Sequence, residues 1–145
     1  MKDKRYFIRI RFTPEQIQKY YKNAQRSLKI ASENKDPEVK FDYSYKAFIK
    51  AGIAVIAAIK KVRVRGIPGH HMKIIEMMSE ILQDDTISAV GNAMRSKRNI
   101  DLYAGGVEIS KKESIDYYNF VEGLIRKIGK LLKRKQKSEV GRNNG

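Results

Sequence analysis

Apolar residues recur at steps of three and four along most of this chain, a spacing that predicts helices. The exception is the start, where Tyr6, Ile8, Ile10 and Phe12 alternate with Arg5, Arg9 and Arg11 and predict a short extended arm or strand. Thr13-Pro14-Glu15-Gln16 then reads as a helix start. Thr13 caps, Pro14 takes the first helical position and Gln16 completes a capping box. With Ile17, Tyr20, Tyr21, Ala24, Leu28 and Ala31 on one face, the first helix is predicted over about 14–33. Asn34-Lys35-Asp36-Pro37 breaks it.

A second helix is predicted over about 38–64. Between Phe41 and Ile59 it is apolar nearly all round and rich in Ala and Gly, which suits the central helix of a bundle. Arg65-Gly66-Ile67-Pro68-Gly69 is a loop. The third helix, about 70–82, is expected to bury Met72, Ile75, Met78 and Leu82, and Asp84-Asp85 ends it and opens a fourth that reaches about Tyr103. A second capping box, Ser110-Lys111-Lys112-Glu113, starts the fifth helix at about 111. Its core stripe is Ile115, Tyr118, Val121, Ile125, Ile128 and Leu132. The fold class is therefore all-α, an up-and-down bundle of about five helices with a short N-terminal arm. One domain spans 1–137, and charge and Gly-Asn content predict a disordered tail over 138–145.

Composition narrows the chemistry. The 145 residues suit one domain with a real core, and the absence of cysteine excludes disulfides, thiol nucleophiles and thiolate metal sites. Two adjacent histidines make a poor metal pair, so neither a metal nor a cofactor is expected. The longest apolar run, Ala51 to Ile59, is far short of the roughly 20 residues a bilayer needs, and no signal peptide is recognisable. A soluble, cytoplasmic protein is predicted.

Net charge changes the picture more. The chain carries +15, with 31 Lys and Arg against 16 Asp and Glu. The excess is clustered at the N-terminus, at Lys60 to Arg65, and in an acid-free block from Arg126 to Lys137. Such a field attracts polyanions and favours nucleic acid or an acidic protein, although a block of like charge is often only a solvated face.

The most informative segment lies at the end of the fourth helix. Ile87, Val90 and Met94 form a stripe, and the next position on that face is Arg98. A guanidinium on the core side of a helix is costly unless an acid or an anion pairs it. Asn99 adds a hydrogen-bonding amide, Tyr103 a phenol, and Gly105-Gly106 a flexible end. Asp101, three residues on, could instead pair with Arg98 as a purely structural ion pair.

The helix order, the buried second helix, the Gly-Ile-Pro-Gly-His-His loop and Arg98-Asn99-Ile100-Asp101-Leu102-Tyr103 together resemble a HEPN domain over residues 14 to about 132. The family motif is an arginine, usually followed by a polar residue, with a histidine four to six positions beyond. Arg98 and Asn99 match, and Tyr103 stands where the histidine would be. The family's frequent tyrosine two residues further on would fall on Gly105. Active members resemble metal-independent endoribonucleases that dimerise so that two motifs meet at one cleft, and many pair with a small nucleotidyltransferase as toxin and antitoxin. Others bind nucleotide or partner protein without cutting.

The resemblance therefore implies a homodimer, RNA as ligand and a nucleotidyltransferase as partner, with Arg98, Tyr103 and Asn99 as catalytic candidates. Arg95, Lys97, Lys130, Lys133 and Arg134 are the nucleic-acid-binding candidates. Arg98 suits phosphate, since its planar fork pairs two oxygens at once. Tyr103 can donate a proton but is a poor base near neutral pH, and a regular helix sets it roughly 140° away from Arg98. A ribonuclease and a non-catalytic binding module both remain open. His70 and His71 are expected to pack or hydrogen-bond, and the aromatic clusters around Tyr45 and Tyr118 are expected in the core.

Overall fold

The computed structural model describes residues 5–103 and 108–144, with side chains for 5–100 and 108–139. The elements are β1 (Phe7–Arg9), α1 (Pro14–Glu33), α2 (Pro37–Lys60), β2 (Val62–Val64), α3 (His70–Leu82), α4 (Asp85–Tyr103) and α5 (Lys111–Asn144). Five helices pack together, and a two-stranded ribbon closes one end.

Helix α1 starts as its sequence requires. The Thr13 side chain accepts from Gln16 N–H, and the Gln16 side chain accepts from Thr13 N–H. At its other end Lys40 Nζ donates to the carbonyls of Ala31 and Asn34, so a residue of α2 satisfies the last turn of α1. Asp36 caps α2 by accepting from Val39 N–H at 3.1 Å. Helix α2 is the hub: it packs against α1, α3, α4 and α5 and against β2. Phe41, Tyr45, Phe48, Val55 and Ile56 along it are essentially inaccessible, and they meet Ile74, Ile75 and Met78 of α3, Ile87 and Met94 of α4, and Val121, Ile125 and Ile128 of α5. Close approach needs a bare backbone at Gly91, where a Cβ would lie 2.6 Å from Phe48 Cζ.

Three expectations are corrected. Helix α2 stops at Lys60 rather than continuing to 64. Lys61 turns left-handed (φ 57°, ψ 42°), and Val62-Arg63-Val64 pairs antiparallel with β1 in the register Phe7↔Val64, Ile8↔Arg63, Arg9↔Val62. The alternating valines suit that strand, but only its pairing with the N-terminal arm distinguishes strand from helix end. Second, α5 does not yield to a disordered tail at 138. It runs on to Asn144 because Lys, Arg, Gln and Glu from 133 to 139 favour helix, and Lys135 pairs with Glu139 at 3.4 Å. Third, Met72 and Ile115 are 46% and 38% exposed rather than core. The inward stripe of α3 is Ile74, Ile75 and Met78, and the residue three and four positions before it is His71, not Met72.

Candidate functional site

Position 98 is on the stripe the sequence indicates. Ile87 and Met94 are fully buried, Val90 is half-buried, and Arg98 continues the line half-buried. Its Cζ lies 5.6 Å from the centroid of the Tyr45 ring, within cation–π range of a side chain that is 1% exposed. The guanidinium thus rests on the core through an aromatic face. Among the described residues no carboxylate pairs with Arg98 or with Arg95, whose Nε donates to Asn92 Oδ1 at 3.3 Å.

Tyr45 carries the site inward. A buried phenol needs a partner, and Tyr45 Oη lies 2.9 Å from Nδ1 of His71. Burial pushes the Tyr45 hydroxyl up to about 12, against the opposing pull of Arg98 and Arg95. Burial, the neighbouring His70 and the two arginines push His71 down to about 4. Both groups are therefore neutral at pH 7. The phenol is the stronger donor, so Tyr45 Oη–H donates to Nδ1 and the remaining ring hydrogen of His71 sits on Nε2. His70 packs edge-on against His71, with ring centroids 4.4 Å apart, and its Nδ1–H donates to the Ile67 carbonyl at 2.8 Å.

The loop before α3 fixes these histidines. Gly69 has φ 88°, and Tyr6 Oη donates to the Pro68 carbonyl, tying the loop to the N-terminal arm. The result is a cluster drawn from three helices: Tyr45 from α2, His71 from α3, Arg95 and Arg98 from α4. Two guanidinium forks and a neutral imidazole all offer donors, with no acid on them among the described residues. That is the chemistry of an anion site.

The other sequence candidates separate. Lys97 turns away and forms an ion pair with Glu113, the residue that also closes the α5 capping box, so it serves the α4–α5 junction. Asn99 is exposed and has no place in the cluster. Tyr103 is the last residue of α4, but its ring, the Asp101 carboxylate and Gly105-Gly106 lie outside the described residues. Lys130, Lys133 and Arg134 are exposed on α5. With Arg126, Lys127 and Lys137 they follow helical spacing along one outward stripe, opposite the buried Val121, Ile125 and Ile128. By rise per residue this stripe stands about 20 Å along α5 from the end that meets Lys97.

The sequence places Tyr45 in the core and gives His71 a packing or hydrogen-bonding role, and both hold; what it left open is that the two are each other's partner. Two signals could have shown this. Tyr45 brings a hydroxyl into a buried helix and must find a partner, and His71 shares the stripe of Ile74, Ile75 and Met78. Among the described residues no group of three His, Cys, Asp or Glu side chains could hold a metal ion, and no helix is long and apolar enough to cross a membrane. Compared with protein-family models, curated proteins and solved structures, the chain matches none.

Proposed function

We propose that this protein binds RNA without cutting it, seating a backbone phosphate on Arg95 and Arg98 beside His71 and running the strand toward the basic stripe of α5. The observation that carries the reading is the pair of arginines, free of any carboxylate among the described residues, set over a neutral Tyr45–His71 pair. A phosphate arriving there meets charge-assisted donors already in position. The exposed Lys130, Lys133 and Arg134 extend the attractive field.

The same electrostatics argue for holding over cutting. General acid–base cleavage needs groups that titrate near the working pH. In the free protein a histidine pushed down to about 4 and a tyrosine pushed up to about 12 are both mismatched to that task. The chain then resembles the non-catalytic HEPN modules, with Tyr103 at the motif's histidine position.

The test is fluorescence anisotropy of a labelled single-stranded RNA across a salt series, with the same RNA run on a gel in chelator. Wild type should bind with strong salt dependence and leave the RNA intact. No binding at low salt sinks the proposal. Cleavage lost on replacing His71 or Tyr103 would return the protein to the nuclease class.

A further inference from the structure

At the other end of α2, about 20 Å from Tyr45 by helix rise, lies a groove of about 550 Å³ between the N-terminal arm, the start of α1, the end of α2 and the late part of α5. Its volume is in the range that holds one small organic molecule. The buried part is aliphatic: Ala58 is 3% exposed, and half-buried Ile10, Ile17 and Leu132 complete the floor. The alanines of α2 make the depression, since nothing beyond a methyl group rises from that face.

The outer part is cationic. Arg9, Arg11, Lys61 and Lys135 line it, and the carboxylate among the lining residues, Glu139, is already paired with Lys135. Arg9, Arg11 and Lys61 have no ion pair among the described residues. Lys61 adds an independent observation. It occupies the left-handed region, which costs an L side chain about 1 kcal/mol and which glycine would occupy without strain. A strained lysine at the rim places a cation where backbone preference alone would put glycine.

We infer that this groove binds a single-chain anionic amphiphile, an acyl chain ending in a carboxylate or phosphate. The chain lies on Ile10, Ile17, Ala58 and Leu132, and the head meets Arg9, Arg11 and Lys61. A guanidinium pairs either head group through two oxygens, so both belong to one ligand chemistry. A cationic amphiphile meets repulsion at the rim, and a neutral one gains only the tail contacts. The site is separate from the phosphate cluster at Arg98, and either can fail without the other.

The experiment is isothermal titration with dodecanoate, dodecyl phosphate, dodecanol and dodecyltrimethylammonium, all below their micelle concentrations. One equivalent of dodecanoate or dodecyl phosphate should bind, and the tighter of the two identifies the head group. Shortening the tail should weaken binding about fourfold per methylene removed. Lys61→Gly should weaken binding several-fold while leaving the melting temperature equal or higher, a combination that a merely structural lysine would not give. Arg9→Glu with Arg11→Glu, both exposed, should abolish binding, whereas Lys127→Glu with Lys130→Glu on α5 should leave it unchanged. Intermolecular NOEs should reach the Ile10, Ile17 and Leu132 methyls. Equal binding of dodecyltrimethylammonium or dodecanol, loss of binding in the α5 variant but not in the groove variants, or affinity independent of tail length would each overturn the inference.

Discussion

Tyr45 Oη lies 2.9 Å from His71 Nδ1, so one hydrogen bond joins the most buried helix of the bundle to the first turn of α3. Arg98 then rests its guanidinium on the same tyrosine ring. The contact is at once a structural bond between α2 and α3 and the support of the proposed anion site. Its removal should therefore be read in both stability and binding.

Tyr45→Phe keeps the ring beneath Arg98 and removes the hydroxyl. His71 Nδ1 loses its partner in a half-buried position, at a cost of about 1–2 kcal/mol. Urea denaturation should show a lower midpoint with an unchanged slope. An unchanged midpoint would mean that water replaces the bond freely.

Acid should destabilise the fold through His71. Its folded value is depressed to about 4 from an ordinary 6.5, so between those values the unfolded chain binds the proton and the folded one does not. Stability is thus full above pH 6.5 and declines as pH falls toward 4. Glu113 acts in the same direction at lower pH, since its hydrogen bonds with Lys97 and Ser110 lower its pKa. Melting curves between pH 7.5 and 4 should fall less steeply in His71→Gln than in wild type.

The same histidine should couple RNA binding to pH. A bound phosphate favours the imidazolium and raises its pKa, so binding takes up a proton below neutral pH. Affinity should rise as pH falls from 7 to 5.5, by more in wild type than in His71→Gln. Parallel pH profiles for the two proteins would place the phosphate away from His71.

Arg98→Ala should fold, losing about 0.5–1 kcal/mol with the cation–π interaction, and should bind RNA at least about tenfold more weakly. Arg98→Lys keeps the charge but not the fork and should fall between. On α5, Lys130→Glu with Lys133→Glu and Arg134→Glu should instead lower the salt slope, by about 0.7 for each phosphate that is no longer neutralised. Equal anisotropy curves for Arg98→Ala and wild type would remove Arg98 from the interface.

Gly91→Ala is expected to destabilise the core. The new Cβ would meet Phe48 Cζ at 2.6 Å and Ile75 Cγ2 at 3.0 Å, and Phe48 is fully buried with no room to withdraw. Overpacking of this kind costs about 1–3 kcal/mol. Thermal unfolding followed by circular dichroism checks it.

By itself the sequence determined the helical class, every helix start and the ends of α1, α3 and α4, because those are local properties. Thr13 and Gln16 cap their own helix, Asp84 divides α3 from α4, and the apolar stripes of α1 and α5 declare their inward faces within a few turns. It also placed Arg98 on the core side of α4, which periodicity alone can do. What needed tertiary structure was every pairing between distant segments. Val62 to Val64 could end a helix or form a strand, and the arm at Phe7 to Arg9 decides for the strand. His71 is expected to pack or hydrogen-bond, but only α2 supplies its partner, the Tyr45 hydroxyl 26 positions away. Lys97 and Arg98 are neighbours in sequence, yet a helix turns about 100° per residue. One therefore meets Glu113 of α5 and the other Tyr45 of α2, so packing alone separates a cation with a carboxylate partner from one laid on an aromatic ring.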